Sequence, residues 1–312
     1  MIVCLAANPS VDKLFEVDRL IRGDIHRPSG FVQTAGGKGL NVARAAVALG
    51  AEVRVVALLR GHAGKWLEET LAAEGVHGTS VWTHGENRAS LSVADRETGG
   101  LTEFYEHGAE IPSAAWAELA EAVAGTFADA DWLTISGSMP AGAPDDGYRD
   151  IVSEARAAGV PVALDAEGDR LRVALAARPR IVKVNAVEAA ELLGVPTARR
   201  DEALAAAQKL RDLAGGHGHA GLVTRGADGV VVAAPDGALY EGALYVRGRY
   251  PVGSGDAFLA GLVAALERRD DWPAALSLAL GAATANAELP GAGRLDPARA
   301  SALAAEARIR PA

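Results

Sequence analysis

Cysteine is almost absent from this chain: Cys4 stands alone among 312 residues. One cysteine excludes an intramolecular disulfide and a cysteine-rich zinc site. It lies in an apolar run and reads as a small buried hydrophobe. Aromatic residues are scarce, at 5%, so the core has to be built mainly from Ala, Leu and Val. Basic residues are outnumbered, 31 against 40 acidic, for a net charge of −9. That balance argues against nucleic-acid binding or a basic membrane face. If the ligand is a phosphate, a few local cations must attract it. No apolar run reaches the ~18 residues of a membrane span, and the start lacks a basic n-region. A soluble cytoplasmic protein is expected. What remains, 49% hydrophobic and 23% charged, is globular and suits one large domain or two modest ones.

Glycine is what the chain has in quantity, and its placement is informative. Gly253-Ser254-Gly255-Asp256 leads into a helical apolar pattern at Phe258, Leu259, Leu262, Val263 and Leu266. A glycine-rich loop entering a helix N-terminus offers free N–H groups and a partial positive charge to an anion. Asp256, in the first turn, lies where a carboxylate can orient a hydroxyl for attack on a phosphoryl group. A second glycine stretch, Ala35-Gly36-Gly37-Lys38-Gly39-Leu40-Asn41-Val42-Ala43, also enters a helix. Lys38 and Asn41 therefore sit near another helix N-terminus. The spacing is not that of a Walker P-loop.

Between these loops the pattern alternates strand and helix. Strands are expected at Ile2–Ala6, 53–59, 132–136, 162–165, 181–185, 222–224 and 230–232. Helices are expected at 65–74, 116–123 and 150–158, with three more, 256–267, 273–286 and 299–307, at the end of the chain. The first strand stops at the turn Asn8-Pro9-Ser10, placing Asp12 at its carboxyl end, where open α/β sheets bind ligands. The order βαβα means a mostly parallel sheet with helices on both faces. Short extended pieces at 15–17, 31–34, 90–94 and 101–105 interrupt it. The last two flank the hairpin turn Glu97-Thr98-Gly99-Gly100. They are expected to form one small accessory sheet, with Arg88 just before it.

These motifs together resemble the ribokinase-like sugar kinases, often called the PfkB family. The similarity lies in A-G-G-K-G-L-N-V-A from Ala35 to Ala43, and in G-S-G-D-A-F-L-A-G from Gly253 to Gly261. The intervening S-G-S-x-P, K-x-N-x-x-E and T-R-G-x-x-G elements match in order, so the likeness spans nearly the whole chain. Asn8-Pro9-Ser10-Val11-Asp12 and the Ser136–Pro140 loop are most similar to the sugar-phosphate branch. The resemblance implies a three-layer α/β/α fold with a small β-sheet lid, one domain over 1–312, and lid strands within about 10–35 and 86–108. It implies ATP-dependent phosphoryl transfer with Mg²⁺ to a ketohexose phosphate, fructose 1-phosphate or tagatose 6-phosphate. A homodimer through the lid is plausible on the same grounds.

The resemblance further implies Asp256 as catalytic base and an anion hole at Gly253, Ser254 and Gly255. Lys183, Asn185, Thr224, Gly226 and Gly229 would contact nucleotide, and Asn286 would approach adenine. Glu188 would help organise Mg²⁺ through water. Asp12, Gly36, Gly37, Asn41 and Asp165 would hold sugar hydroxyls. Arg88, Lys38 and Ser138 would face the phosphate already on the sugar. The chain departs from the family pattern at Ser254, where alanine is usual, at Ala257, where serine is common, and at Val184 of K-V-N. Near 24–27, where some relatives carry a phosphate-binding lysine, it has only His26 and Arg27. Two other functions compete: kinase of an unphosphorylated sugar or nucleoside, and a non-catalytic sugar-binding regulator. A dinucleotide-dependent oxidoreductase is disfavoured, because no G-x-G-x-x-G follows the first strand.

Overall fold

The computed structural model describes residues 1–312. In chain order, β1 (Ile2–Ala6), β2 (Ser10–Val17) and β3 (Gly30–Gly36) lead to α1 (Lys38–Ala48). Then come β4 (Val53–Arg60), α2 (Gly61–Ala73), β5 (His77–Thr83), β6 (Arg88–Asp95), β7 (Leu101–Tyr105) and α3 (Ser113–Ala124). β8 (Trp132–Ser136), α4 (Gly147–Ala157), β9 (Val162–Asp165), α5 (Gly168–Leu175), β10 (Ile181–Asn185), α6 (Ala186–Leu193) and α7 (Arg200–Leu213) follow. β11 (Ala220–Thr224), β12 (Val230–Ala233), β13 (Leu239–Ala243), α8 (Ser254–Glu267), α9 (Trp272–Glu288), α10 (Pro297–Glu306) and β14 (Arg308–Pro311) complete the chain.

Ten strands form the main sheet in the order β14-β13-β12-β11-β10-β9-β8-β1-β4-β5. From β5 to β11 neighbours run parallel, whereas β12, β13 and β14 add antiparallel. Parallel strands covered on both faces need continuous apolar runs, and every residue of β1 is buried. Successive β1 side chains alternate between two cores. Ile2 and Cys4 pack with α1, α8, α9 and α10, whereas Val3 and Leu5 pack with α3 to α7. The architecture is therefore α/β/α, built largely from Ala, Val and Leu as the aromatic-poor composition requires.

The accessory strands form one sheet in the order β3-β2-β6-β7. The turn between β6 and β7 falls where expected, with Asp95 Oδ1 accepting from the N–H groups of Glu97 and Thr98 at 2.9 and 3.0 Å. β7 has the expected bounds, whereas β2, β3 and β6 are longer than their apolar residues suggest. β2 starts at Ser10 rather than Phe15, which corrects the placement of Asp12: it belongs to the small sheet, not to the end of β1. Strands β5, β13 and β14 and helices α5 and α7 escape the sequence reading. β5 and β14 are largely exposed edge strands with few apolar residues, and α7 buries mainly alanines.

Candidate active site

One cleft of about 1140 Å³ lies between the small sheet and the carboxyl ends of the main strands. Every candidate site residue lines it except Gly36 and Asn286. Chain crossovers end here because β1, β8, β9, β10 and β11 are parallel and all deliver their last residues to one edge.

Asp256 lies in the first turn of α8, almost fully buried. The turn before it depends on Gly253, whose φ of 82° is left-handed backbone that glycine adopts without strain. Asn41 Nδ2, from α1, donates to Asp256 Oδ2 at 2.9 Å. Burial pushes the Asp256 carboxyl up to about 6, opposed by Lys38 and reinforced by Asp165. Asn41 is itself held: Arg44, one turn along α1, donates from Nη1 to its Oδ1 at 3.3 Å and from Nε to Glu74 at 2.7 Å. Arg44 was not foreseen, although its i+3 spacing from Asn41 carries the signal.

Two lysines and an aspartate form a buried knot beside Asp256. Lys183 Nζ bonds one oxygen of Asp165, and Lys38 Nζ reaches the other at 3.4 Å. Lys38 also lies 3.6 Å from Glu188 Oε1. Burial alone would raise Asp165, but the two lysines outweigh it and hold the carboxyl below its usual range. Asp165 in turn drives the Lys38 ammonium upward against its desolvation. Asp165, expected among the sugar hydroxyls, is fully buried with both oxygens on ammonium groups. Lys38, expected at the sugar phosphate, sits among Asp165, Asp256 and Glu188. Lys183 crowns the anion loop: a Cβ on Gly255 would come 3.0 Å from its Nζ.

Asn185 and Glu188 make a reciprocal cap on α6. Glu188 N donates to Asn185 Oδ1 at 2.9 Å and Asn185 N to Glu188 Oε2 at 2.7 Å. The cap leaves Glu188 Oε1 facing Lys38 and the cleft. The carboxylates that gather around Lys38 are not arranged as a set of three ligands able to hold a metal ion by themselves. This arrangement fits a Mg²⁺ carried mainly by nucleotide phosphates and waters, with one carboxylate assisting. Asn286 does not line the cleft. It is fully buried, donating to Val252 O at 2.9 Å and Ser254 Oγ at 3.3 Å and accepting from Gly293 N at 2.7 Å. These bonds tie Asn286, expected near adenine, to the loop before α8. Apolar wall residues unnoticed in the sequence, Val246, Leu280, Ala283 and Ala287, line the cleft on the side of Thr224, Gly226 and Gly229.

At the far end, Asp12 and Arg88 project from neighbouring β2 and β6, with Ser10 paired to Arg88 in register. Ser10 Oγ donates to Asp12 Oδ1 at 2.6 Å. Burial pushes the Asp12 carboxyl up despite Ser10 and Arg88. Gly36 is required here because a Cβ would lie 1.9 Å from Asp12 Oδ2. The Arg88 guanidinium makes only long contacts, 3.4 Å to Asn8 O and to Ser90 Oγ. Ser138, exposed to the cleft, accepts from Asn8 Nδ2 at 3.1 Å.

The family described as pfkB family carbohydrate kinase matches residues 5–299. A protein of Haloferax volcanii named 1-phosphofructokinase is 33% identical over 268 residues, covering 86% of this chain and 84% of that one. Another of that name, from Xanthomonas campestris pv. campestris, is 32% identical, covering 85% and 83%. Among solved structures, phosphofructokinase-2 of Escherichia coli, described as a tetrameric inhibited form, superposes with a TM-score of 0.88 at 24% identity, covering 97% and 98%. A possible 1-phosphofructokinase of Thermotoga maritima reaches 0.90 at 20% identity, covering 100% and 99%.

Proposed function

The chain belongs to the pfkB family of carbohydrate kinases, and from that premise we propose that it transfers the γ-phosphoryl group of ATP to a hydroxyl of a ketohexose phosphate. Fructose 1-phosphate, giving fructose 1,6-bisphosphate, is the first candidate, and tagatose 6-phosphate the second. The observation that carries this reading is Arg88. A cation whose hydrogen bonds are all 3.4 Å long lines the cleft beside Asn8, just after β1, with β8, β9 and β10 between β1 and the β11 strand that ends at Thr224, in a protein with a net charge of −9. A planar guanidinium can grip two phosphate oxygens. The names of the curated relatives point the same way.

In this reading the acceptor hydroxyl lies against Asp256, with Asn41 fixing the carboxylate. The hydroxyl oxygen bonds to the γ-phosphorus, the bond from that phosphorus to the bridging oxygen breaks, and ADP leaves. The hydroxyl proton passes to Asp256. The transition state is loose, so fixed charge and position do most of the catalysis. The N–H groups of Gly253 to Gly255, with Lys183 and Lys38, meet the charge on the moving group. Bound Mg²⁺ would shield the phosphates from one another, assisted by Glu188. The small sheet closes over the cleft and excludes water as a competing nucleophile. Two copies associate through its outward face.

The test is Arg88→Ala. Losing a charged hydrogen bond should lower kcat/KM for fructose 1-phosphate or tagatose 6-phosphate by about 10- to 100-fold, with the KM for ATP far less changed. Free fructose and ribose should be poor substrates of the wild type. A wild type that prefers a free sugar, or an Arg88→Ala variant with unaltered kinetics on sugar phosphates, refutes the assignment.

A further inference from the structure

Arg60, the last residue of β4, is 1% exposed and among the largest side chains that the fold buries. Its Nη1 donates to Ala109 O at 2.6 Å, and its Nε has no partner. Burial alone holds the guanidinium below the ordinary arginine range, with no neighbouring carboxylate contributing. The contrast with Arg44 is direct, since that equally buried guanidinium is paired with Glu74. A buried cation without an anion is costly, and folds normally supply one.

The position of Arg60 indicates which anion is missing. Gly108 lines the far end of the cleft. A Cβ placed on Gly108 would lie 3.9 Å from Arg60 Nη2, 3.7 Å from Arg88 Cδ and 3.2 Å from Asn8 Oδ1. Arg60 therefore stands directly behind the wall that Arg88 flanks. The acids around it are engaged elsewhere: Glu86, beside Gly61, accepts from His62 N and Ala63 N at 3.0 and 2.9 Å, Glu106 Oε2 accepts from Ala89 N at 2.7 Å, and Glu110 Cγ packs toward Gly142. Asn87, adjoining Arg88, accepts from Arg60 N at 2.7 Å, so the two arginines are held on one rigid junction between β4 and β6.

We propose that Arg60 is a second, buried cation of the sugar-phosphate subsite, whose charge is balanced by the phosphate already on the substrate. It is a positioning residue. It acts through the Gly108–Ala109 wall, by its field and by fixing the Ala109 carbonyl, while Arg88 supplies direct contact. The inference rests on the sugar-phosphate reading above and deepens it. It carries an unusual consequence: Arg60 should cost the free protein stability and return it when the phosphate binds.

The experiment compares wild type, Arg60→Met, Arg60→Lys and Arg88→Ala. In Arg60→Met the KM for fructose 1-phosphate should rise about 10-fold, with the KM for ATP within about two-fold. Its melting temperature without ligand should equal or exceed that of the wild type, and the stabilisation by inorganic phosphate should shrink. Arg60→Lys, which keeps the charge, should recover most of the KM. A lower melting temperature with both KM values rising together would mean a purely structural arginine and overturn the inference. So would an unchanged KM for fructose 1-phosphate, or an Arg60→Lys variant no better than Arg60→Met. If Arg88→Ala is impaired on sugar phosphate while Arg60→Met is not, this inference fails and the sugar-phosphate reading stands. If the wild type prefers an unphosphorylated sugar, both fall.

Discussion

At the scale of single residues, the proposed mechanism turns on the proton of Asp256. An ordinary aspartate, with a pKa near 4, is a weak base for an alcohol. Burial in the first turn of α8 moves this one from 3.8 to about 6, closer to working pH. The activity should fall below about pH 6, but the substrate phosphate also titrates near ~6. Stability separates the two. A carboxyl raised in the folded state binds more protons than in the unfolded chain between about pH 4 and 6, so the protein loses stability as pH rises through that window. Asp256→Asn removes the loss. It should melt higher than wild type at pH 7.5, the gap narrowing at pH 5, while kcat drops by ~10²-fold or more. Equal melting at pH 7.5, or a near-normal kcat, would remove Asp256 from this role. The same residue shows what sequence can reach. Spacing after a glycine loop locates Asp256, and the second glycine loop locates Asn41. It does not give the direction of a long side chain. Lys38 reaches Asp165 and Glu188, and that pairing across 127 residues is legible only once β9 and α1 meet. Arg60 leaves no motif, because its meaning lies in the carboxylate it lacks.

At the scale of elements, the small sheet gives each of its faces a separate job. Side chains alternate along a strand, so Asp12, Ser90 and Tyr105, matched in register across β2, β6 and β7, share the face that lines the cleft. The sheet joins the main body at four places: 7–9, Gly37 (φ 95°), 84–87 and 106–112. Closure would turn about these connections. Hydrogen exchange in β2, β3, β6 and β7 should slow when a sugar phosphate and a non-hydrolysable ATP analogue are both present. Unchanged exchange in all four strands would count against closure. Periodicity finds these strands and the length of β7, but it cuts β2 and β6 short where polar residues such as Ser10, Asp12 and Arg88 face the cleft. The central strands are easier: apolar runs bounded by glycine or asparagine mark β1, β4, β8 and β10 to within a residue or so.

At the scale of the whole molecule, the opposite face of the small sheet is the feature without a use inside one chain. Phe31 and Phe104 are 57% and 58% exposed, and what matters is that they share one face rather than standing singly. Phe31 stacks at 5.4 Å on Phe15, and Leu91 lies opposite Phe104 in register. Together they make one apolar face directed away from the cleft, bounded by the edge strands β3 and β7. An apolar patch of this kind marks an interaction site, and a second copy of the same face is its simplest complement under two-fold symmetry. A charge at either flank of this face should therefore separate the copies without touching the chemistry. Phe31→Glu and Phe104→Glu should each shift the protein from dimer to monomer by sedimentation, at concentrations where the wild type is dimeric. If closure depends on pairing, the KM for the sugar phosphate should rise along with it, whereas the KM for ATP should hold. A wild type that sediments as a monomer, or variants that keep the wild-type mass, would leave this face to some other partner.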